Sequence, residues 1–261
     1  MSTNSAPVTP GLFDVAGKVC LVTGGSRGIG LAIARGLVQA GARVYICARD
    51  AAQCSATAAE LSEFGECNAF QADLSSLDGC RTLAEQMQSV EDDLHVLVNN
   101  AGANRAHAFV DFPEDTWDTV MDVNLKSTFF LTQALLPLLQ SAASQDDPAR
   151  VINVGSIRGY LVPSQPTFAY TASKGAVQQL SRHLASQFAP IGITVNVLAP
   201  GIYQTRMGQA GTPLVEGRVP LGRPADPDDI AGAAIFLASR AGAYLTGTVI
   251  PVDGGLSIAA S

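Results

Sequence analysis

The chain has 261 residues, of which 47% are hydrophobic and 15% charged, a balance typical of a compact globular protein and unlike that of disordered or fibrous chains. Acidic residues outnumber basic ones by 23 to 16, giving a net charge of −7, which argues against general binding to nucleic acid or to anionic membranes. No apolar run reaches the roughly 18 residues that a membrane span needs. We therefore expect a soluble protein with no nucleic-acid or membrane partner.

Residues 1–10 (MSTNSAPVTP) contain no Lys or Arg and no apolar core, so they predict a flexible polar tail rather than a secretory signal. The chain has five cysteines, an odd number with no CxxC pair. This pattern favours free thiols in a reducing cytoplasm over a disulfide framework. No metal site is predicted.

Short apolar runs alternate with longer helical patterns along the rest of the chain. Unbroken runs of Val, Ile and Leu are typical of strands covered on both faces of a parallel sheet. Between them, apolar residues recur every three or four positions, as at Ile29, Ile33 and Leu37, which is the spacing of a helix. The runs that predict strands are Val19–Val22, Val44–Cys47, Cys67–Phe70, Val96–Val98, Val151–Val154, Ile193–Leu198 and Val249–Val252.

This alternation predicts a single α/β domain over residues 11–261, with a Rossmann-type doubly wound parallel sheet of about seven strands and helices on both faces. Local signals for helix ends agree with it. Gly41 and Pro190 follow two helical patterns as stop signals, and Asp226-Pro227 is typical of an N-cap and first helical residue.

A glycine-rich turn follows the first predicted strand. Gly24, Gly28 and Gly30 are spaced GxxxGxG, and glycines between a strand and a helix let the backbone approach a pyrophosphate at the helix N-terminus. The same residues also match GxSxG, the nucleophile elbow of α/β-hydrolases, with Ser26 as nucleophile. Of the three histidines, only His107 has a plausible position for that chemistry. A turn without any ligand is the third interpretation.

Polar residues follow three later strands. The fourth strand ends in Asn99-Asn100-Ala101-Gly102, the fifth in Ser156 and the sixth in Pro200-Gly201. The helix after Ser156 carries Tyr170 and Lys174, which lie on one face because they are four residues apart. Ligands bind at the carboxyl ends of the strands in open α/β sheets. We therefore expect these residues to form one site with the glycine turn.

In this order, the TGGSRGIG, NNAG, Ser…YxxxK, PG and DGG motifs resemble those of the short-chain dehydrogenase/reductase family, over essentially all of Gly17 to Gly255. Within the family, the stretches Ala42–Asp50, Ala72–Ser76 and Pro148–Ser156 are similar to those of NADPH-dependent β-ketoacyl reductases of the rhamnolipid-biosynthesis type. The resemblance implies an NADP-dependent oxidoreductase acting on CH–OH groups, here a ketone reductase for a 3-oxoacyl thioester or a related carbonyl compound.

The chemistry of ketone reduction fits these residues. A ketone that accepts hydride develops an alkoxide and needs a proton from a positioned acid. Tyr170 is predicted as that general acid/base, Lys174 lowers its pKa by its charge, and Ser156 binds the carbonyl oxygen. The resemblance further implies that Lys174 holds the nicotinamide ribose and that Asn124 steadies a water that relays protons to Lys174. Alternatively, Asn124 only satisfies a buried backbone group.

Two residues after the second strand bear on the choice of cofactor. Asp50 lies 20 residues after Gly30, which by count alone favours NAD. It also lies two residues beyond the strand end, where it suits an N-cap. Arg49 follows the strand directly and Arg27 lies in the glycine turn, so either could contact the 2′-phosphate of NADP. We expect NADPH/NADP+.

The resemblance also places Asp73 and Leu74 beside the adenine, and the backbone of Ile202 and side chain of Thr205 near the carboxamide. The complete set of predicted cofactor-binding residues is Gly24, Ser26, Arg27, Gly28, Ile29, Gly30, Arg49, Asp73, Leu74, Asn100, Ala101, Gly102, Tyr170, Lys174, Pro200, Gly201, Ile202 and Thr205.

Several features bear on the substrate and the partners. Residues 203–220 contain three glycines and few apolar anchors, which suggests a lid over the substrate or a simple surface loop. An anionic substrate or an acidic acyl-carrier protein would suit four arginines expected at the pocket mouth, Arg105, Arg158, Arg206 and Arg218. Because members of the family usually form tetramers, a homotetramer, or a dimer, is expected. The alternatives are an NAD(P)-linked alcohol, sugar or steroid dehydrogenase and a non-catalytic cofactor-binding regulator.

Overall fold

A computed structural model describes residues 11–203 and 218–259 of the chain. Its strands are β1 Val19–Thr23, β2 Arg43–Ala48, β3 Cys67–Gln71, β4 Val96–Asn99, β5 Ala149–Val154, β6 Ile193–Pro200 and β7 Val249–Val252. They form one sheet in the order β3-β2-β1-β4-β5-β6-β7, and every pairing is parallel. The doubly wound α/β sheet predicted from the sequence is confirmed.

Helices connect the strands and cover both faces of the sheet. They are α1 Gly28–Gln39, α2 Ala51–Leu61, α3 Leu77–Gln88, α4 Glu114–Met121, α5 Ser127–Ala142, α6 Phe168–Phe188 and α7 Pro227–Ala238. A π-helical turn over Asp122–Lys126 joins α4 to α5, so these two helices form one nearly continuous rod.

The predicted helix caps are confirmed. The Asp50 carboxylate accepts a 3.0 Å hydrogen bond from the backbone N–H of Gln53 at the start of α2. At the start of α7, Asp226 and Asp229 form a capping box. The Asp226 carboxylate accepts from the backbone N–H of Asp229, and the Asp229 carboxylate accepts from the backbone N–H of Asp226. These contacts satisfy N–H groups that have no partner within the helix.

Two apolar layers hold the helices against the sheet. On one face, buried residues of α1, α2 and α7 such as Leu37, Leu61 and Ile230 pack together. On the other face, α3, α5 and α6 supply buried residues such as Leu83 and Leu135. The central strands are therefore covered on both sides, which is why they are mostly apolar.

All five cysteines are buried and carry free thiols. Burial raises the pKa of Cys47 and Cys67 to about 12, so at neutral pH these thiols are protonated and pack as small apolar groups. In the part of the chain that the structure describes, no helix is both long and apolar enough to cross a membrane. The expected tail, residues 1–10, and most of the expected lid, residues 204–217, lie outside the described residues.

Candidate active site

The predicted site residues lie at the carboxyl edge of the sheet, where β1 and β4 are neighbours and the chain order reverses. Open α/β sheets bind their ligands in the crevice at such a switch point. Gly24 and Gly28 adopt φ values of +65° and +58°, which favour glycine. The chain thereby turns directly from β1 into α1.

The N-terminus of α1 is open toward this crevice. Its N-cap residue, Arg27, makes no side-chain capping bond, and the first turn of the helix contains no acidic residue. The first backbone N–H groups of a helix have no partner within it and carry the positive end of the helix dipole. This end of α1 is therefore suited to a phosphate group.

The glycine turn and the NNAG segment are joined by hydrogen bonds. The Thr23 hydroxyl oxygen accepts from the backbone N–H groups of Asn100 and Ala101, each at 2.9 Å. The Asn100 amide donates to the carbonyl oxygens of Thr23 at 2.8 Å and Gly24 at 3.2 Å. A Cβ atom at Gly30 would lie 2.3 Å from the Asn100 nitrogen, so only glycine fits there.

Ser156, Tyr170 and Lys174 come together beside this crevice. Ser156 follows β5, and its Oγ accepts a 3.2 Å hydrogen bond from the backbone N–H of Arg158. Tyr170 lies in the first turn of α6, and the Nζ atom of Lys174 is 5.8 Å from its ring centroid. Lys174 also donates a 2.7 Å hydrogen bond to the carbonyl oxygen of Val154. The structure therefore brings the three predicted catalytic residues to one place.

Burial dominates the electrostatics of this group. It raises the pKa of the Tyr170 phenol, while hydrogen bonding to Ser156 and the positive charge of Arg158 act in the opposite direction. Burial also lowers the pKa of Lys174 to about 8. Shifted values of this kind, in neighbouring groups at the mouth of a crevice, are a frequent mark of catalytic sites.

Asn124 lies in the π-helical turn and is 2% exposed. Its Oδ1 accepts from the backbone N–H of Ala103 at 2.7 Å, and its Nδ2 donates to the Ala103 carbonyl at 3.0 Å and to the Ser173 hydroxyl at 2.9 Å. Ser173 in turn donates to the carbonyl oxygen of Tyr170 at 2.7 Å. Asn124 thus satisfies buried backbone groups, and it also links the NNAG loop to the helix of Tyr170 and Lys174.

The predicted cofactor residues beyond β2 and β3 lie at the same edge of the sheet. Arg27 and Arg49 are exposed, whereas the Asp50 carboxylate is engaged as the N-cap of α2. Asp73 accepts hydrogen bonds from the backbone and hydroxyl of Ser75, and Leu74 is buried.

The predicted residues after β6 are described only in part. The backbone N–H of Gly201 donates to the carbonyl oxygen of Val252 at 3.0 Å, and a Cβ atom at Gly201 would lie 2.7 Å from Cα of Asp253. Pro200 and Ile202 flank it, whereas Thr205 and Arg206 lie outside the described residues.

Three polar contacts beneath the site were not predicted from the sequence. The buried Asn99 side chain donates to Asn153 Oδ1 at 2.9 Å, and Asn153 donates to Ser181 Oγ at 2.8 Å. Gln178 of α6 donates to the carbonyl oxygen of Ser156 at 3.0 Å. The signal available in the sequence was a pair of amides, Asn99 and Asn153, within otherwise apolar strands.

The hydrolase interpretation of the glycine turn finds no support in the histidines. His95 accepts a 3.1 Å hydrogen bond from the backbone of Val19, at the opposite edge of the sheet. His107 packs its ring against Phe112, and His183 lies within α6. A Ser–His pair with Ser26 is therefore not formed among the described residues.

Known proteins resemble the chain over nearly its whole length. The family model described as enoyl-(acyl carrier protein) reductase matches residues 24–257. The rhamnolipids biosynthesis 3-oxoacyl-[acyl-carrier-protein] reductase of Pseudomonas aeruginosa is 48% identical over 252 residues, which cover 94% of this chain and 98% of the relative. The chain belongs to the short-chain dehydrogenase/reductase family. Another dehydrogenase/reductase with a similar sequence is the galactitol 2-dehydrogenase (L-tagatose-forming) of Cereibacter sphaeroides, 36% identical over 95% of this chain and 98% of the relative.

The fold of this short-chain dehydrogenase/reductase is also found in solved structures. The Pseudomonas aeruginosa RhlG/NADP active-site complex superimposes with a TM-score of 0.92 and 46% identity, covering 95% of this chain and all of that one. The resemblance drawn from the sequence motifs, including the rhamnolipid-type grouping, is confirmed.

Proposed function

We propose that the protein is an NADPH-dependent reductase that transfers hydride to the ketone of a 3-oxoacyl thioester or a related carbonyl compound. The observation that carries the proposal is the grouping of Ser156, Tyr170 and Lys174 at the switch point, beside the open N-terminus of α1. The similarity to a 3-oxoacyl-[acyl-carrier-protein] reductase and to an NADP complex supports the substrate class and the cofactor.

The residues at the crevice fit NADP(H). Its pyrophosphate suits the uncapped N–H groups of α1, and its 2′-phosphate suits the exposed guanidinium groups of Arg27 and Arg49. A Cβ atom at Gly102 would lie 3.4 Å from Asn124 Oδ1 and 3.9 Å from Lys174 Nζ. The absence of a side chain at Gly102 therefore keeps the space in front of Lys174 free. When bound, NADPH supplies the hydride.

In the proposed mechanism, Ser156 and Tyr170 act on the substrate oxygen. Because Ser156 Oγ accepts from the Arg158 backbone, its hydroxyl proton is available to the carbonyl oxygen and orients the ketone. Tyr170 transfers its phenolic proton to that oxygen as negative charge develops there, and Lys174 stabilises the phenolate that remains. Asn124 holds the NNAG loop against α6 and so keeps Lys174 and Tyr170 in place.

The replacement Tyr170→Phe tests this mechanism. We expect turnover of a 3-oxoacyl thioester with NADPH to be lost, while NADPH binding, followed by fluorescence titration, is largely kept because the phenol is not needed for affinity. Tyr244→Phe is the matched control, since Tyr244 is fully exposed. Full activity in the Tyr170→Phe variant would exclude the proposed acid, and a cofactor-binding regulator would then be the better description.

A panel of substrates separates the proposed activity from its main alternative. The alternative is oxidation of a sugar or polyol, because the chain is also similar to a galactitol 2-dehydrogenase. We expect kcat/KM to be highest for 3-oxoacyl thioesters with NADPH. A higher kcat/KM for polyols with NAD+ would replace the proposal with an NAD-linked dehydrogenase. Comparing acyl-carrier-protein and coenzyme A thioesters would test whether an acyl-carrier protein is the natural partner.

The proposal includes a homotetramer in the cytoplasm. An apolar groove on the outside of α4, α5 and α6 lies open in the single chain, lined by residues such as Met121, Phe129 and Leu180. A second copy covering this groove would remove its apolar surface from water. Sedimentation analysis tests the assembly, and introducing charge by Phe130→Asp should dissociate it. The cytoplasm is proposed because the thiols are free.

A further inference from the structure

The turn that carries Ser156 lies against one face of α6. Tyr170, Lys174 and Gln178 are spaced four residues apart in this helix, so they share that face. Lys174 donates to the carbonyl oxygen of Val154 at 2.7 Å, and Gln178, one helical turn further on, donates to that of Ser156 at 3.0 Å. The helix therefore binds the end of β5 and the segment after it at two points, and the second point is the backbone of Ser156 itself.

The carbonyl group of Ser156 has its partners outside the sheet. The pairing of β5 with β6 ends at Val154 and Leu198, and Ser156 continues beyond it in an extended conformation. A buried carbonyl group without a partner is unfavourable. The backbone N–H of Gly159 donates to it at 3.0 Å. Gln178 supplies the second bond, from a side chain in a residue that is only 7% exposed.

Two glycines let the turn approach α6 this closely. A Cβ atom at Gly159 would lie 2.3 Å from Gln178 Nε2 and 2.9 Å from the carbonyl oxygen of Lys174. A Cβ atom at Gly175 would lie 3.2 Å from the carbonyl oxygen of Gly159. Side chains at these positions would push the turn away from the helix or displace the Gln178 amide. The backbone that follows Ser156 is thus packed directly on the Gln178 side chain.

We propose that Gln178 is a positioning residue that fixes the Ser156 hydroxyl relative to Tyr170, by holding the Ser156 backbone against α6. The proposal rests on the proposed function in taking Ser156 as the group that orients the ketone. A hydroxyl on a looser backbone would still bind the carbonyl oxygen, but less often at the position that hydride and proton transfer require. Misplacement by about 1 Å can lower a rate on the order of 100-fold.

The replacement Gln178→Met tests this role, because methionine is also unbranched but has no hydrogen-bond donor. One of the two bonds to the Ser156 carbonyl is then lost, and we expect kcat for a 3-oxoacyl thioester to fall about tenfold. KM should change less than kcat. The Kd for NADPH should stay within about twofold of the parent, because Lys174 keeps its own bond to Val154. An unchanged kcat would overturn the proposal.

Repeating the substitution in a Ser156→Ala background separates positioning of Ser156 from a general loosening of the helix. Without the hydroxyl there is nothing for Gln178 to position, so Gln178→Met should change the remaining single-turnover rate by less than about twofold. A tenfold fall in both backgrounds would contradict the proposal, because the substitution would then act on Tyr170 or Lys174. Full activity of Ser156→Ala would reject the proposed function of Ser156 and this inference with it.

Asn196→Leu is the matched control for the lost hydrogen bond. Asn196 is 1% exposed, and its amide donates to the carbonyl oxygen of Leu245 at 2.7 Å. This variant therefore also removes a buried amide donor from a backbone carbonyl group. It should lower the free energy of unfolding but leave kcat unchanged. Equal falls of kcat in Asn196→Leu and Gln178→Met would show that loss of stability alone accounts for the effect, against the proposal.

Gly159→Ala perturbs the same contact from the other side, and it decides the question if Gln178→Met does not fold. Because the new Cβ atom would displace the Gln178 amide, kcat should fall at least as far as in Gln178→Met. Gly232→Ala is its control, since a Cβ atom at Gly232 in α7 would meet nothing within 4 Å. Its kcat should equal that of the parent. Parent-like kcat in Gly159→Ala would count against the proposal.

Amide hydrogen exchange provides a readout that needs no substrate. The backbone N–H groups of Arg158 and Gly159 donate to the Oγ and the carbonyl oxygen of Ser156. In Gln178→Met we expect both amides to exchange roughly tenfold faster than in the parent, because the turn opens more easily. Unchanged exchange at both positions would refute the proposal. Failure of every ketone to react would reject the proposed function, while the exchange rates would still decide whether Gln178 holds the Ser156 turn.

Discussion

The Nζ atom of Lys174 donates its hydrogen bond to the carbonyl oxygen of Val154, across 2.7 Å. This contact joins α6 to the carboxyl end of β5, and it lies in an environment where Lys174 is only 5% exposed. Because burial penalises the charged form, the pKa of the ammonium falls to about 8. Keeping this buried lysine charged therefore lowers the free energy of unfolding of the protein.

Replacing Lys174 with Met should reveal that cost through its pH dependence. A lysine in the unfolded chain titrates near pH 10.4, so between about pH 8 and that value the unfolded state binds more protons than the folded state. The stability of the parent should therefore rise with pH over this range relative to Lys174→Met, by about 1.4 kcal/mol for each unit of lowered pKa. Below pH 8 the full penalty remains and the difference should be constant.

Urea denaturation of both proteins at several pH values measures this difference. Comparing the two cancels the titration of all other groups. Turnover should be lost in Lys174→Met below about pH 8, where the parent lysine carries the charge that stabilises the phenolate. Parallel stability curves from pH 7 to pH 10 would mean that the lysine is not perturbed by burial.

Ser173 provides a second prediction, since it connects Asn124 to the backbone of Tyr170. In Ser173→Ala, the Asn124 amide loses one of its partners inside the protein. We expect a loss of about 1 kcal/mol in the free energy of unfolding and a fall in kcat that exceeds any rise in KM, because the helix of Tyr170 and Lys174 is less firmly held. Ser89→Ala, which removes an exposed hydroxyl bonded to Gln86, should change neither quantity.

Much of the fold follows from local sequence patterns. Strands buried on both faces are mostly apolar, so β1 and β6 are visible as runs rich in Val, Ile and Leu. The caps at Asp50 and Asp226 depend only on neighbouring residues. The proximity of the glycine turn to NNAG also follows, because both lie at the carboxyl ends of adjacent parallel strands.

Other features depend on contacts between residues distant in the chain. The π-helical turn around Asn124 is a change of hydrogen-bond register that the apolar periodicity does not encode. The bond between Asn99 and Asn153 depends on β4 lying beside β5. Arg150 stands in a strand as a polar interruption, yet it is fully buried by its contacts with Asp147 and Ser239.

The preference for NADPH should depend on arginines and not on Asp50. Arg49→Ala and Arg27→Ala each remove a group suited to the 2′-phosphate, and a charge-assisted contact contributes about 1.5–3 kcal/mol. We therefore expect each variant to bind NADPH at least tenfold more weakly, with little change for NADH, in fluorescence titrations.

Asp50→Ala is the companion variant for the cofactor prediction. Because Asp50 caps α2, its removal should cost about 1 kcal/mol of stability and leave the ratio of NADPH to NADH affinity unchanged. A large gain or loss of NADH binding in Asp50→Ala would instead assign the acid to the ribose hydroxyls and reverse our choice of cofactor.

Asp147 should be the most important carboxylate for stability at the edge of the sheet opposite the site. It pairs with Lys18 and, at 2.6 Å, with Arg150, whose side chain is only 1% exposed. Burial alone would raise the pKa of Asp147, but hydrogen bonds from Lys18 and Arg150 outweigh it and hold the pKa below its usual value. Asp147→Asn removes the carboxylate that pairs with both of these cations. We expect the free energy of unfolding to fall by about 3 kcal/mol. This is the low end of the range for a broken buried ion pair, because Asp147 itself is half exposed.

The pH dependence of this loss has a definite sign. A carboxylate with a lowered folded-state pKa contributes stability that is complete above its unfolded pKa, near 3.9, and is lost as the pH falls through the folded value. The difference between the parent and Asp147→Asn, measured by urea denaturation, should therefore be constant above about pH 5 and shrink below pH 4. Asp78→Asn breaks an exposed pair with Arg81 and should have almost no effect. Equal losses of stability in Asp147→Asn and Asp78→Asn would show that the buried Arg150 guanidinium does not need the Asp147 carboxylate as its partner.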